Sequence, residues 1–170
     1  MLIDYDKFEI VSLGNYQINH ISNKKLLETL EDFFHLTKTT NLNYYLSGSI
    51  CCSLLTNKIY RSWKDLDIII DEDKMHLWLE ILPRESWSYF EFNSKLVKVH
   101  NKKNNNYLEL ITQNPETSVF DKKYKKITTY NGIKVNDLKT ILFWKKVYRG
   151  PPKETDFYDE ILINEFINKV

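Results

Sequence analysis

The sequence predicts an α+β domain: a small mixed β-sheet with helices packed on one face, followed by C-terminal helices. Two observations predict it. Segments with helical and with strand periodicity alternate along the chain. Two helical segments then follow each other at the end, split by Gly150-Pro151-Pro152. That order suits a sheet layered against helices.

The elements follow in order. Phe8-Glu9-Ile10-Val11 reads as a short strand. Leu26, Leu27, Leu30, Phe33 and Phe34 recur at helical spacing, with Ser22-Asn23 as the candidate cap. Tyr44-Tyr45-Leu46 reads as a strand, residues 50–55 as a helix and 65–70 as a buried strand. Met75 to Leu82 reads as a helix stopped by Pro83. Trp87 to Phe92 and Leu96 to Val99 read as strands, Asn101 to Asn106 as a turn, and Tyr107 to Ile111 as the next strand. Tyr124 to Tyr130 and Ile133 to Val135 read as a hairpin through Asn131-Gly132. Asp137 to Tyr148 and Thr155 to Ile167 read as helices.

A length of 170 residues is one domain by size, 1–170, with a core over about 23–135 and the C-terminal helices over about 137–168. Hydrophobic residues at 42% and charged residues at 28% are ordinary globular usage, which excludes a disordered chain. The formal net charge of +1 argues neither for nor against a nucleic-acid partner. The two cysteines, Cys51 and Cys52, are adjacent in a helical segment and read as small hydrophobes. The first residues carry acids where a signal peptide has a basic region, and no stretch reaches transmembrane length. The expectation is a cytoplasmic protein without a membrane partner.

The chemistry concentrates in residues 44–70. Asp65-Leu66-Asp67 opens an apolar strand, so the two carboxylates share a face. Like charges there repel unless a cation sits between them, and a hard divalent ion such as Mg²⁺ takes oxygen ligands of this kind. Upstream, Gly48-Ser49 lies between a strand and a helix. Such a turn lets backbone approach a phosphate and offers the donors of a helix start. Arg61 and Lys64 precede the carboxylates and read either as phosphate partners or as solvated charges.

These residues resemble the nucleotidyltransferase superfamily: an apolar strand, Gly-Ser, a helix, an Arg, then Asp-x-Asp. The similarity is to the small lincosamide and aminoglycoside nucleotidyltransferases and to toxin-like relatives, over roughly residues 26–160. The resemblance implies a third carboxylate on a later strand, matched by Glu109 in Tyr107-Leu108-Glu109-Leu110-Ile111. It also implies a late helix carrying a lysine, matched by Lys145, then a basic turn through Arg149 and Lys153 and an acid, Asp156. Lys145 reads equally as a surface lysine. Asp156 and Asp159 read as a helix-start pair favoured by the dipole. The chain departs from the pattern where Gly-Ser replaces a double Gly, and where Lys153 is separated from Asp156.

The activity so implied moves a nucleoside monophosphate from an NTP to a hydroxyl acceptor and releases pyrophosphate. Asp65, Asp67 and Glu109 would hold two Mg²⁺ ions; Gly48, Ser49, Arg61 and Lys64 would hold phosphates; Lys145 would add charge in the transition state. The acceptor is expected to be a small molecule such as an antibiotic. The alternatives are a toxin-like transferase acting on tRNA or protein, and an inactive nucleotide- or partner-binding domain. Two basic runs, Lys95–Lys103 and Lys122–Lys126, read as RNA contacts or as solvated hairpin ends. Trp63 reads as a core residue rather than a base-stacking one. The four histidines share no metal-ligand spacing.

Overall fold

The computed structural model describes residues 3–14, 16–93, 95–113, 125–148 and 150–169. Arg149 and Lys122-Lys123-Tyr124 lie outside the described residues. The architecture is α+β. Its centre is a seven-stranded mixed sheet, built from β2 (Tyr44–Ser47), β4 (Asp67–Asp71), β5 (Trp87–Asn93), β6 (Leu96–Asn101), β7 (Asn106–Gln113), β8 (Ile127–Tyr130) and β9 (Ile133–Asn136). The spatial order is β5-β6-β7-β4-β2-β9-β8. β4 runs parallel to β7 and antiparallel to β2, and β2 runs parallel to β9. A separate parallel pair joins β1 (Glu9–Ile10) to β3 (Lys58–Ile59). The sequence periodicity did not foresee that pairing.

Alternation along the strands sorts the two faces. Leu46, Ile68, Ile70, Val97, Val99 and Leu110 turn to one face and are buried in the main core. Helix α1 (His20–Thr37) supplies Leu26, Leu27, Leu30 and Phe33 to the same core. Helix α3 (Met75–Ile81) adds Trp78, stacked on Phe33 with ring centroids 5.5 Å apart. Helix α2 (Ser49–Thr56) buries Ile50, Cys51, Cys52 and Leu54. The opposite sheet face carries Ser47, Asp67 and Glu109 in register.

Local chemistry explains most element ends. Asn131 and Gly132 both have positive φ (48° and 83°), the conformation of a two-residue hairpin turn. The cap of α1 is Asn19 rather than Ser22-Asn23: Asn19 Oδ1 accepts from the Ser22 N–H at 3.0 Å, so the helix begins earlier. Helix α4 (Leu138–Phe143) is capped by Asp137, which accepts from Thr140 N–H at 2.6 Å. The chain then widens into a π-helical turn, Trp144–Tyr148, where the sequence had implied one continuous helix. Helix α5 (Glu154–Ile167) closes the fold and packs on α2 and α4. No helix among the described residues is long and apolar enough to cross a membrane.

Candidate active site

The sheet register builds the centre of the site. Ser47 pairs with Asp67, Asp67 with Glu109, and Glu109 with Lys98, so four adjacent strands present these side chains in one row. Asp65 lies just before β4 rather than within it, yet its carboxylate reaches the same place. One oxygen each from Asp65, Asp67 and Glu109 lie within 4.8 Å of one another. Desolvation, and then the charge of Glu109, push the Asp65 carboxyl above its usual range. The segment leading into β4 is held from two sides. Asn23, in α1, donates to the Arg61 carbonyl at 3.2 Å and accepts from Trp63 N–H at 2.8 Å. Trp63 is buried and donates from Nε1 to Ser53 Oγ at 3.1 Å.

Gly48 sits between β2 and α2 with φ of 77°. A Cβ built there would stand 2.6 Å from Asp67 Oδ2. The glycine is therefore required twice, for its left-handed backbone and for the space its missing side chain leaves to Asp67. Ser49 opens α2 beside it, and both line the cavity. A helix start at this point favours an anion. Asn136 closes the turn from β9: its Nδ2 donates to Ser47 Oγ at 2.9 Å, and its buried Oδ1 has no partner among the described residues. The motif reading had no signal for Asn136, whose position depends on a parallel pairing of distant strands. Gly48→Val is expected to abolish nucleotide binding by displacing Asp67. Ser49→Ala should weaken it by about 1 kcal/mol, the net worth of one hydrogen bond. Titration calorimetry with an NTP and Mg²⁺ checks both, and equal tolerance would contradict this role for the turn.

Arg61 and Lys145 line the same cavity, but both are buried in an ion network. Asp159, fully buried, accepts from Arg61 Nε at 2.8 Å and from its second terminal nitrogen at 3.2 Å. Tyr60 donates its hydroxyl to the same carboxylate. Lys145 Nζ lies 2.6 Å from both Asp159 and Asp156. Asp156 also accepts from Lys153 N–H at 2.8 Å, which caps α5. Burial opposes the Arg61 charge, but the hydrogen bond and charge of Asp159 outweigh it and hold the guanidinium above its ordinary range. Asp156 and Asp159 are thus not simply a dipole-stabilised helix-start pair. They tie α5 to the π-helical turn after α4 and to the segment ahead of Asp65. Burial pushes the neighbouring Cys52 thiol up to about 12. Lys64 is exposed at the cavity wall.

The cavity has a volume of about 590 Å³. Tyr45, Ile69 and Ile111 form its apolar floor, one register step beyond Ser47, Asp67 and Glu109. Trp144 flanks it. Among the run Lys95–Lys103, Lys95 lines the cavity and Lys98 pairs with Glu109 at 3.0 Å. Lys102 instead donates to the Arg84 carbonyl, and Lys103 pairs with Asp32 of α1. The run is therefore split between two places rather than gathered into one surface.

No protein-family model matches the chain, and no curated protein matches its sequence. Solved structures do match. The lincosamide antibiotic adenylyltransferase LnuA, solved with lincomycin bound, superposes with a TM-score of 0.60 at 22% identity, covering 83% of this chain and 95% of its own. ANT(2")-Ia, solved with adenylyl-2"-tobramycin, gives a TM-score of 0.59 at 10% identity, over 83% of this chain and 88% of its own. A nucleotidyltransferase-like protein from Paracoccidioides brasiliensis gives 0.60 at 16% identity, over 85% and 78%. Together with the row Ser47, Asp67 and Glu109 and the glycine turn that faces it, these likenesses establish that the chain has the nucleotidyltransferase fold.

Proposed function

We propose that the protein is a metal-dependent nucleotidyltransferase, moving a nucleoside monophosphate from an NTP to the hydroxyl of a small acceptor and releasing pyrophosphate. The observation that carries this reading is the convergence of Asp65, Asp67 and Glu109 opposite the Gly48-Ser49 turn. Three hard oxygen donors within one ion's reach suit Mg²⁺, and the cradle that a Cβ at Gly48 would fill suits a phosphate. Asp65 and Asp67 would hold one ion, and Glu109 would complete a second site. Bound Mg²⁺ supplies charge neutralisation at the triphosphate and lowers the pKa of a ligated hydroxyl.

The remaining work falls to the chain. The Gly48-Ser49 backbone and hydroxyl and the Lys64 ammonium hold phosphate oxygens. Glu109 accepts the acceptor's proton. Lys145 and Arg61 line the cavity with their charges balanced by Asp156 and Asp159, so they would act as fixed N–H donors of a preorganised wall rather than as added net charge. The apolar floor of Tyr45, Ile69 and Ile111 receives a flat or apolar face of a substrate.

The cavity also bears on the acceptor. Beyond Asp65 and Asp67, its described lining holds one acid, Glu72, against Lys64, Lys95 and Lys153 and the internally paired Arg61 and Lys145. A polycationic acceptor needs more carboxylates than this, so a neutral or singly charged molecule fits better. Incubation with ATP, Mg²⁺ and either lincomycin or tobramycin, read by mass spectrometry, tests the preference. The expected result is a gain of one nucleoside monophosphate on the lincosamide in preference to the aminoglycoside. Preferential modification of tobramycin would contradict it.

A further inference from the structure

Lys98 stands directly across the β6–β7 ladder from Glu109, and its ammonium lies 3.0 Å from Glu109 Oε1. Glu109 in turn is the carboxylate that would complete a second ion site with Asp67. The three carboxylates and this one ammonium carry a formal charge of −2, which a single divalent ion matches. A second ion would bring the cluster to an excess of positive charge while Lys98 stays in place. At a separation of 3.0 Å the ammonium also uses an oxygen that an ion would need as a ligand.

We infer that Lys98 occupies the second metal position electrostatically in the metal-free protein and sets the order of loading. Asp65 and Asp67 would hold a first ion with Lys98 still on Glu109. Lys98 then leaves Glu109 before a second ion is accepted. The incoming triphosphate supplies the negative charge that draws it away. Its flexible four-carbon stem, on the sheet face shared with Glu109, allows that swing without backbone movement. This inference rests on the reading of Asp65, Asp67 and Glu109 as metal ligands. Lys98 is a positioning residue here, since it acts through Glu109.

The test is a Mn²⁺ titration without nucleotide, following the free-ion signal by electron paramagnetic resonance. The wild-type protein, Lys98→Met, Lys98→Gln, Lys98→Arg and Lys95→Met are compared. Lys95→Met removes an equal charge from the cavity wall and leaves the Lys98–Glu109 pair in place, so it controls for bulk field. The wild type is expected to bind one ion well and a second weakly. Lys98→Met and Lys98→Gln should tighten the second step by about tenfold or more, since a competing unit charge in contact is removed. Lys98→Arg and Lys95→Met should leave the second step near wild type. Equal isotherms for wild type and Lys98→Met would overturn the role of Lys98 while leaving the metal site standing. An equal tightening in Lys95→Met would also overturn it. Absence of Mn²⁺ binding in every variant would overturn the metal reading itself, and Lys98 with it.

Discussion

Replacing Asp159 with alanine is expected to destabilise the protein by about 3–5 kcal/mol, because a buried carboxylate is removed from between cations that stay behind. Arg61 and Lys145 would be left with Asp156 as the remaining buried acid of the network, and the Tyr60 hydroxyl would lose its acceptor. The network is neutral only as a set of two cations and two carboxylates. Its members come from the segment before Asp65, from the turn after α4 and from α5, so its loss should loosen all three together. Urea unfolding checks this: the midpoint should fall sharply while the slope changes little. A loss below about 1 kcal/mol would place Asp159 with ordinary surface carboxylates. Lys145→Ala should also destabilise, so its effect on turnover has to be read beside a stability measurement.

Asp67→Asn is expected to do the opposite: abolish Mg²⁺-dependent nucleotide binding at unchanged or slightly higher stability. Asp67 lies within 4.8 Å of the ligand oxygens of Asp65 and Glu109, so the metal-free cluster carries like charges held together by the sheet register. Removing one charge relieves repulsion there, while the amide keeps the shape beside Gly48. Calorimetric titration with an NTP, with and without Mg²⁺, reads the first effect, and urea unfolding reads the second. Unfolding of Asp67→Asn would make the pair a structural device and remove the ligand assignment. The two substitutions thus separate acids that look alike in composition: Asp67, proposed as a metal ligand, and Asp159, which joins three segments of the fold.

The difference between those acids also marks what the sequence made legible. Strand alternation pointed to Asp65 and Asp67 sharing a face, although Asp65 lies just before β4, and Glu109 entered through the family resemblance; the parallel register of β4 with β7, which brings Asp67 beside Glu109, is a product of the tertiary fold. The place of Gly48-Ser49 between a strand and a helix was readable from the sequence. The second reason for a glycine at position 48, the 2.6 Å approach of Asp67 to a Cβ built there, arises from the tertiary pairing of β2 with β4. The helices and the Asn131-Gly132 hairpin followed from periodicity and turn chemistry. Asp159 was not readable, since its partner Arg61 lies 98 residues away and no local pattern couples them. The same holds for Asn23, which the pattern offered as a cap and the fold uses as a clamp on residues 61–63. Lys98 read as one member of a basic run because charge patterning ignores which face a strand residue takes. The cross-strand pairing assigns it to Glu109.

The most direct measurement is transfer of label from NTP to acceptor, run in parallel with α-labelled and γ-labelled nucleotide, in wild type and Asp67→Asn. The acceptors are lincomycin, tobramycin, bulk RNA and the proteins of a cell extract. The account predicts that wild type, with Mg²⁺, places label from the α position on a small-molecule acceptor and none from the γ position, and that Asp67→Asn places neither. Label from the γ position on the acceptor, or transfer undiminished in Asp67→Asn, would contradict it.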